Sequence, residues 1–215
     1  MKIEIKNLSK KFKKVTVVDD VSITFKSGKI YGIIGRNGSG KSVFLKMICA
    51  FYIPDKGVIL QDGCDYIKQN SFPESTRALI EGPDFIPDLT GFENLKLLAS
   101  IQNIIDDNKI TETLEKINLI KEKNKKYCEY SLGMKQKLGI AQVLMEDPSV
   151  IILDEPFNGI EEKSVKDIKK ILIEERTKGK IVIITSHIKE DVEELSDEIY
   201  QFDDGKLSRK NYEKD

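Results

Sequence analysis

The sequence predicts an α/β fold: a mostly parallel sheet, a small antiparallel β piece, and an inserted α-helical subdomain. Three observations carry this. The aliphatic runs at 30–34, 150–153 and 181–184 have the length and composition of strands buried on both faces. Each is followed by residues with helical apolar spacing. From Thr90 to Met145 the period is helical with no strand-like run, so a block of helices interrupts the alternation. On this reading the chain is a single domain, with residues 1–81 and 149–215 as its core lobe and 82–148 as the helical subdomain.

The elements follow in order. Ile3 and Ile5 alternate, then Val21, Ile23 and Phe25 up to the turn Ser27-Gly28, giving two opening strands. Ile30, Tyr31, Ile33 and Ile34 form the next strand, and Val43, Phe44, Met47 and Ile48 the helix after it. Pro54-Asp55-Lys56-Gly57 is a turn into a short strand ending at Asp62-Gly63, the antiparallel piece. Ala78-Leu79-Ile80 is a further strand. Thr90 and Glu93 have capping-box spacing, and Phe92, Leu95, Leu98, Ile101 and Ile105 recur behind them at helical intervals. Ile110, Leu114 and Ile117 mark a second helix; Met134, Leu138, Ala141 and Leu144 mark a third. Then come strand 150–153, a helix near 161–177, strand 180–185, a short helix near 190–195, and a hairpin turning at Asp204-Gly205.

At 215 residues the chain can bury a proper core. A net charge of −1 with 33% charged residues leaves no basic surplus for nucleic acid, and the lysine clusters at 10–14 and 121–126 read as solvated faces. Three cysteines without Cys-x-x-Cys spacing read as reduced thiols, not a disulfide framework or a zinc site. No apolar run approaches the ~20 residues of a membrane helix, so insertion in a membrane is not expected. The N-terminus has no stretch of signal-peptide length.

The chemistry starts at Gly35-Arg36-Asn37-Gly38-Ser39-Gly40-Lys41-Ser42. Strand, glycine-rich turn and helix N-terminus together make an anion site, because glycines let backbone N–H groups turn toward phosphate oxygens and the helix dipole adds positive charge. Lys41 brings a full charge to the terminal phosphates, and the Ser42 hydroxyl suits Mg²⁺. A second feature is Asp154-Glu155 at the end of the run 150–153. Burying those four aliphatic residues is worth about 1.5–3 kcal/mol each, and two carboxylates then emerge where a phosphate loop opens in such sheets. Asp154 suits Mg²⁺ coordination, and Glu155 is placed to polarise an attacking water.

Tyr130-Ser131-Leu132-Gly133-Met134-Lys135-Gln136 precedes the third helix. A Ser-x-Gly at a helix N-terminus is an anion site built by the same physics. This segment resembles the signature of ATP-binding-cassette (ABC) ATPases, commonly Leu-Ser-Gly-Gly-Gln. The order of phosphate loop, helical block, signature and Asp-Glu strand is similar to that family across essentially the whole chain. The resemblance implies a P-loop NTPase of ABC type with a RecA-like sheet, and ATP and Mg²⁺ as cofactors. Residues 35–43, from Gly35 to Val43, would bind ATP. Ser131, Leu132, Gly133 and Met134 would complete the ATP site of a partner cassette. His187 then matches the histidine that contacts the γ-phosphate and the water, and Phe12 the aromatic on which adenine stacks; a core position is the alternative for Phe12. Asn158, Gly159 and Glu161 fall in the loop that meets the opposite cassette.

Three positions depart from the family pattern. Glu81 stands where glutamine is usual, a charged Mg²⁺ ligand that would also repel the γ-phosphate. With Leu89-Thr90-Gly91-Phe92-Glu93-Asn94-Leu95, it resembles the subunits that export bacitracin-like and lantibiotic peptides. Glu161 stands for aspartate in the dimer loop, and Val43 for threonine after the phosphate loop, losing a hydroxyl.

The resemblance implies the ATPase subunit of an ABC transporter, an exporter of peptide antibiotics or drugs. It would work as a pair, with a second copy or a paralogous ATPase, on a membrane-spanning subunit. Its place would be cytoplasmic, at the inner face of the membrane through that subunit, which would meet a groove lined by residues 85–95. The alternative is a soluble ABC ATPase acting on ribosome or DNA. Against it stand the single cassette and a helical block too short for a coiled coil.

Overall fold

The computed structural model describes residues 1–210; the last five residues of the expected core lobe, 211–215, lie outside them. The chain opens with strands β1 (Lys2–Phe12), β2 (Val15–Lys26) and β3 (Lys29–Ile34), then helix α1 (Lys41–Ile48), β4 (Lys56–Gln61) and β5 (Thr76–Leu79). Helices α2 (Gly91–Gln102), α3 (Asp107–Lys116) and α4 (Leu132–Leu144) follow, with 3₁₀ turns at Ile120–Glu122 and Tyr127–Glu129. The last part holds β6 (Val150–Asp154), α5 (Glu162–Thr177), β7 (Ile181–Ser186), α6 (Lys189–Glu193), β8 (Glu198–Asp203) and β9 (Lys206–Lys210).

Two sheets result. β2-β1-β4 is antiparallel, and β5-β6-β7-β3-β8-β9 is parallel except for the closing β8–β9 hairpin. The parallel strands carry apolar residues on both faces, and alternation divides them between two cores. Ile30, Ile34, Ile151, Leu153, Val182 and Ile184 face the cluster shared with α2–α5. Tyr31, Ile33, Val150, Ile152, Ile181 and Ile183 face the cluster shared with α1 and the antiparallel sheet. Each strand is therefore wedged between layers, which fixes where its last residue emerges.

The helical block is anchored by capping as the spacing predicts. Thr90 accepts from the Glu93 N–H while Glu93 accepts from the Thr90 N–H, so both halves of the box are present. β1 and β2 run longer than their alternation indicates. The pairing shifts register between Ile5 and Leu8, and Asn7 (φ 51) and Asp20 (φ 54) sit there in left-handed conformation, joined by a 2.9 Å side-chain hydrogen bond. The irregularity breaks the period and hides one continuous ladder. Helix α5 starts one residue later than expected, with Glu161 as its N-cap.

Candidate active site

β6, β7 and β3 lie side by side, so their carboxyl ends deliver Asp154-Glu155, Ser186-His187 and Gly35 to one edge of the sheet. The phosphate loop closes on Gly40, which has φ 112; a Cβ there would stand 2.5 Å from the Val17 carbonyl oxygen, so only glycine fits. Gly40 is also the N-cap of α1 and gives it no side-chain acceptor, whereas Thr90, Asp106 and Ser131 cap α2, α3 and α4. The first N–H groups of α1 are thus left to an external anion. Lys41 is buried, and its ammonium donates to the Gly35 (2.7 Å) and Arg36 (3.1 Å) carbonyls. A cavity of about 190 Å³ opens between the loop and the end of β6, bounded by Asn37, Gly38, Lys41, Ser42, Asp154 and Glu155. Arg36 itself points outward to Asp203 at 3.2 Å.

The carboxylates are held in fixed orientations. Asp154 accepts from the Ser42 hydroxyl at 2.6 Å on one oxygen and from the Thr185 hydroxyl on the other. Thr185 in turn accepts from the Glu155 N–H at 3.1 Å. Glu155 has φ 49, a conformation unfavourable for glutamate that such contacts maintain. Its Oε2 lies 2.8 Å from His187 Nδ1 and accepts from the His187 N–H at 3.2 Å. Its Oε1 is buried without a hydrogen bond, with Lys41 Nζ 3.7 Å away.

Ser39 Oγ is likewise buried and unbonded, so two of the three such atoms found among the described residues belong to this site. Each costs about 1–3 kcal/mol unless a ligand meets it. A hydroxyl beside a carboxylate oxygen, as in Ser42 and Asp154, is the donor set that magnesium takes, completed by phosphate and water. No group of three or more His, Cys, Asp or Glu suited to a metal occurs among the described residues.

Ser131 caps α4 through its Oγ, which accepts from the Met134 N–H at 3.3 Å. Ser131 and Leu132 are exposed, so the helix tip faces outward. Behind it Tyr130 is buried; burial pushes its phenol up to about 12, and the neutral hydroxyl donates to the Glu122 carbonyl at 2.8 Å. Gly133 packs so closely on the loop after β6 that a Cβ would stand 2.8 Å from the Gly159 carbonyl oxygen. Asn158, Gly159 and Glu161 are exposed on that loop, beside the same tip.

Two expected site residues, Phe12 and Glu81, pack on neighbours outside this cavity. Phe12, at the end of β1, is 40% exposed and packs edge-on against Tyr52 with ring centres 5.4 Å apart. Glu81 is paired away from Ser42 and Asp154: its carboxylate lies 2.6 Å from Lys46 Nζ of α1, and its backbone is left-handed (φ 65). Val43 sits in the first turn of α1, on the cavity wall.

Sequence reasoning missed three residues with contacts here: Thr185, Lys46 and Gln136, whose side-chain amide donates to the Glu155 carbonyl at 3.2 Å. A hydroxyl closing a buried aliphatic strand was the available signal for Thr185. A further groove of about 490 Å³ lies between the loop after β5 and α2, where Ile86 and Leu97 are 46% and 48% exposed beside Phe85 and Gln142.

The model of the ABC transporter family matches residues 18–158. An uncharacterized ABC transporter ATP-binding protein, YybJ of Bacillus subtilis (strain 168), is 42% identical over 205 residues, 95% of this chain and 94% of that protein. The bacitracin transport ATP-binding protein BcrA of Enterococcus faecalis is 37% identical over 208 residues, 95% of this chain and 67% of that protein. A solved ATP-binding subunit of an ABC transporter superposes with a TM-score of 0.88 at 24% identity, covering 98% of this chain and 90% of that one.

Proposed function

The chain belongs to the ABC transporter family as one of its ATP-hydrolysing, ATP-binding subunits, and we propose that it drives export of a peptide antibiotic with the residues assembled at the ends of β3, β6 and β7. The observation that carries the site is the convergence of Lys41, Ser42, Asp154, Glu155 and His187 on one edge, with two unbonded polar atoms among them. Residues 35–43 cradle the phosphates of ATP, Lys41 neutralising the terminal ones. Ser42 and Asp154 hold Mg²⁺, which when bound offsets phosphate charge and polarises the group to be transferred.

Glu155 is the base. Its Oε1 accepts the hydrogen of an attacking water while His187 and the Thr185 hydroxyl fix the residue's position. Phe12 offers its open ring area to adenine, a contact worth roughly 1–3 kcal/mol.

The active form is a pair of chains, identical or paralogous. Support comes from the tip at Ser131, which is exposed and faces outward at the N-terminus of α4, where the helix N–H groups that Ser131 does not cap can meet an anion. Ser131, Leu132, Gly133 and Met134 then close on the partner's ATP, with Asn158, Gly159 and Glu161 beside them. Residues 82–148 act as the subdomain that carries this tip.

The membrane-spanning subunit docks in the groove between the loop after β5 and α2, where Ile86 and Leu97 leave apolar surface open. On this reading attachment at the cytoplasmic face goes through that subunit; none of the helices among the described residues is long and apolar enough to cross a membrane. The cargo class follows from likeness to the bacitracin transport protein. The test is ATP hydrolysis by the chain reconstituted with the membrane subunit that co-purifies with it. Stimulation by bacitracin-like or lantibiotic peptides is expected; hydrolysis that no such peptide stimulates rejects the cargo class, and no hydrolysis without an added acceptor rejects the ATPase site.

A further inference from the structure

Beyond β5 the backbone passes twice through the left-handed region, at Glu81 (φ 65) and Gly82 (φ 85). That conformation is unfavourable for glutamate, so contacts must hold it. The contact is with Lys46 of α1, 2.6 Å from the Glu81 carboxylate. Lys46 is itself confined: its side chain is 18% exposed and its ammonium lies 5.5 Å from the centre of the Tyr52 ring. Tyr52 packs edge-on against Phe12. One chain of contacts therefore joins the loop after β5, the helix that opens from the phosphate loop, and the exposed ring at the end of β1.

The sheet register gives this pair a consequence. Leu79, the last residue of β5, stands opposite Leu153, one short of Asp154, and Lys46 lies one turn along α1 from Ser42 on the same helix face, so the Lys46–Glu81 pair sits about one helical turn from the Ser42 hydroxyl that bonds Asp154. A free carboxylate there is a hard oxygen ligand for magnesium and a negative charge close to a triphosphate. In the structure its charge is met by Lys46 instead. We propose that Lys46 is a positioning residue that holds Glu81 out of the Ser42–Asp154 metal site, so that magnesium binds without it and the triphosphate meets a neutral pair. The proposal rests on reading this edge as an ATP·Mg²⁺ site and assigns the role of a lysine outside the motifs.

The experiment titrates Mg²⁺ into the full chain with a fluorescent ATP analogue, reading bound nucleotide and not turnover. Glu81→Gln alone leaves the half-saturating Mg²⁺ where the wild type has it. Lys46→Met lowers it about tenfold, because the released carboxylate adds a metal ligand. Lys46→Gln does the same, which guards against a packing defect peculiar to methionine, and Lys46→Arg behaves as wild type. Adding Glu81→Gln to Lys46→Met returns the titration to the wild-type value. A shift caused by Glu81→Gln with Lys46 in place overturns the proposal, since the glutamate is then already a ligand. A double variant that keeps the shift of Lys46→Met overturns it too. A wild type that binds no nucleotide at any Mg²⁺ concentration overturns the reading of the site itself, and that failure is distinct from the other two.

Discussion

Glu155 Oε2 lies 2.8 Å from Nδ1 of His187, the single histidine of the chain, while the other oxygen of the same carboxylate accepts no hydrogen bond. One oxygen is spent on orientation and the other, buried, is left without a hydrogen-bond partner. Glu155→Gln keeps the shape but cannot take a proton. Turnover should fall by about 10²–10⁴-fold, the usual worth of a positioned base. ATP binding should survive, and the variant should run as a dimer in gel filtration with ATP. Near-normal phosphate release from this variant would remove Glu155 from the role of base.

Thr185 serves both acidic residues at once, donating to Asp154 and accepting from the Glu155 N–H. Thr185→Val preserves the strand and its volume but leaves the buried Asp154 oxygen unmet, while the Glu155 N–H keeps only its 3.2 Å bond to the Thr185 carbonyl. Urea denaturation should show a loss of about 1–3 kcal/mol, and turnover should fall with it. Thr185→Ser should recover most of both. Equal behaviour of the valine and serine variants would show that the hydroxyl carries nothing.

These residues also mark what a sequence can show. The strands 150–153 and 181–184 are legible because burial on both faces leaves a continuous aliphatic run, and whatever ends such a run emerges at the sheet edge. Asp154 and Glu155 are found that way, whereas Gly35 comes from the glycine-rich phosphate-loop pattern and the role of His187 from the family resemblance. The Thr90–Glu93 box is legible because it is local. Thr185, Gln136 and Lys46 act through contacts with Asp154, Glu155 and Glu81, each far away in the chain, and no spacing rule reaches them. Glu81 shows a different limit. The resemblance offers it as a metal ligand, but its pairing with Lys46 and its left-handed backbone are not revealed by residue type.

The tip of α4 and the loop after β6 form one contact surface, since Gly133 lies against the Gly159 carbonyl and Gly159 lies against Leu132. Gly133→Ala would set a Cβ 2.8 Å from that carbonyl oxygen, and backbone must shift to admit it. The displacement moves Ser131 relative to Asn158 and Glu161 and leaves Lys41 and Ser42 untouched. Turnover should fall on the order of 10²-fold, as for other misplacements of about 1 Å. Equilibrium binding of ATP to the monomer should be unchanged. Weakened binding by the monomer would contradict the assignment of this tip to a partner's nucleotide.

Away from the site, Glu175 of α5 is buried between Lys116 of α3 (2.8 Å), Lys178 (2.9 Å) and Lys180. It therefore ties the helical subdomain to the core. Burial alone would raise its carboxyl, but hydrogen bonds from the three lysines outweigh burial and hold it down at about 2, against an ordinary 4.5. The folded state thus favours the carboxylate. Its contribution is fully present above pH 4.5 and is lost as pH falls from there toward 2, roughly 3 kcal/mol in all. Glu175→Gln removes this acid dependence and also strands Lys180, itself buried, with Asp147 as its remaining acidic partner. The variant should be about 3–5 kcal/mol less stable at neutral pH, the cost of breaking a buried pair. Its stability should then change less than the wild type's between pH 4.5 and 2. Urea titrations at several pH values read both effects, and parallel pH profiles for variant and wild type would show that Glu175 does not carry the acid sensitivity.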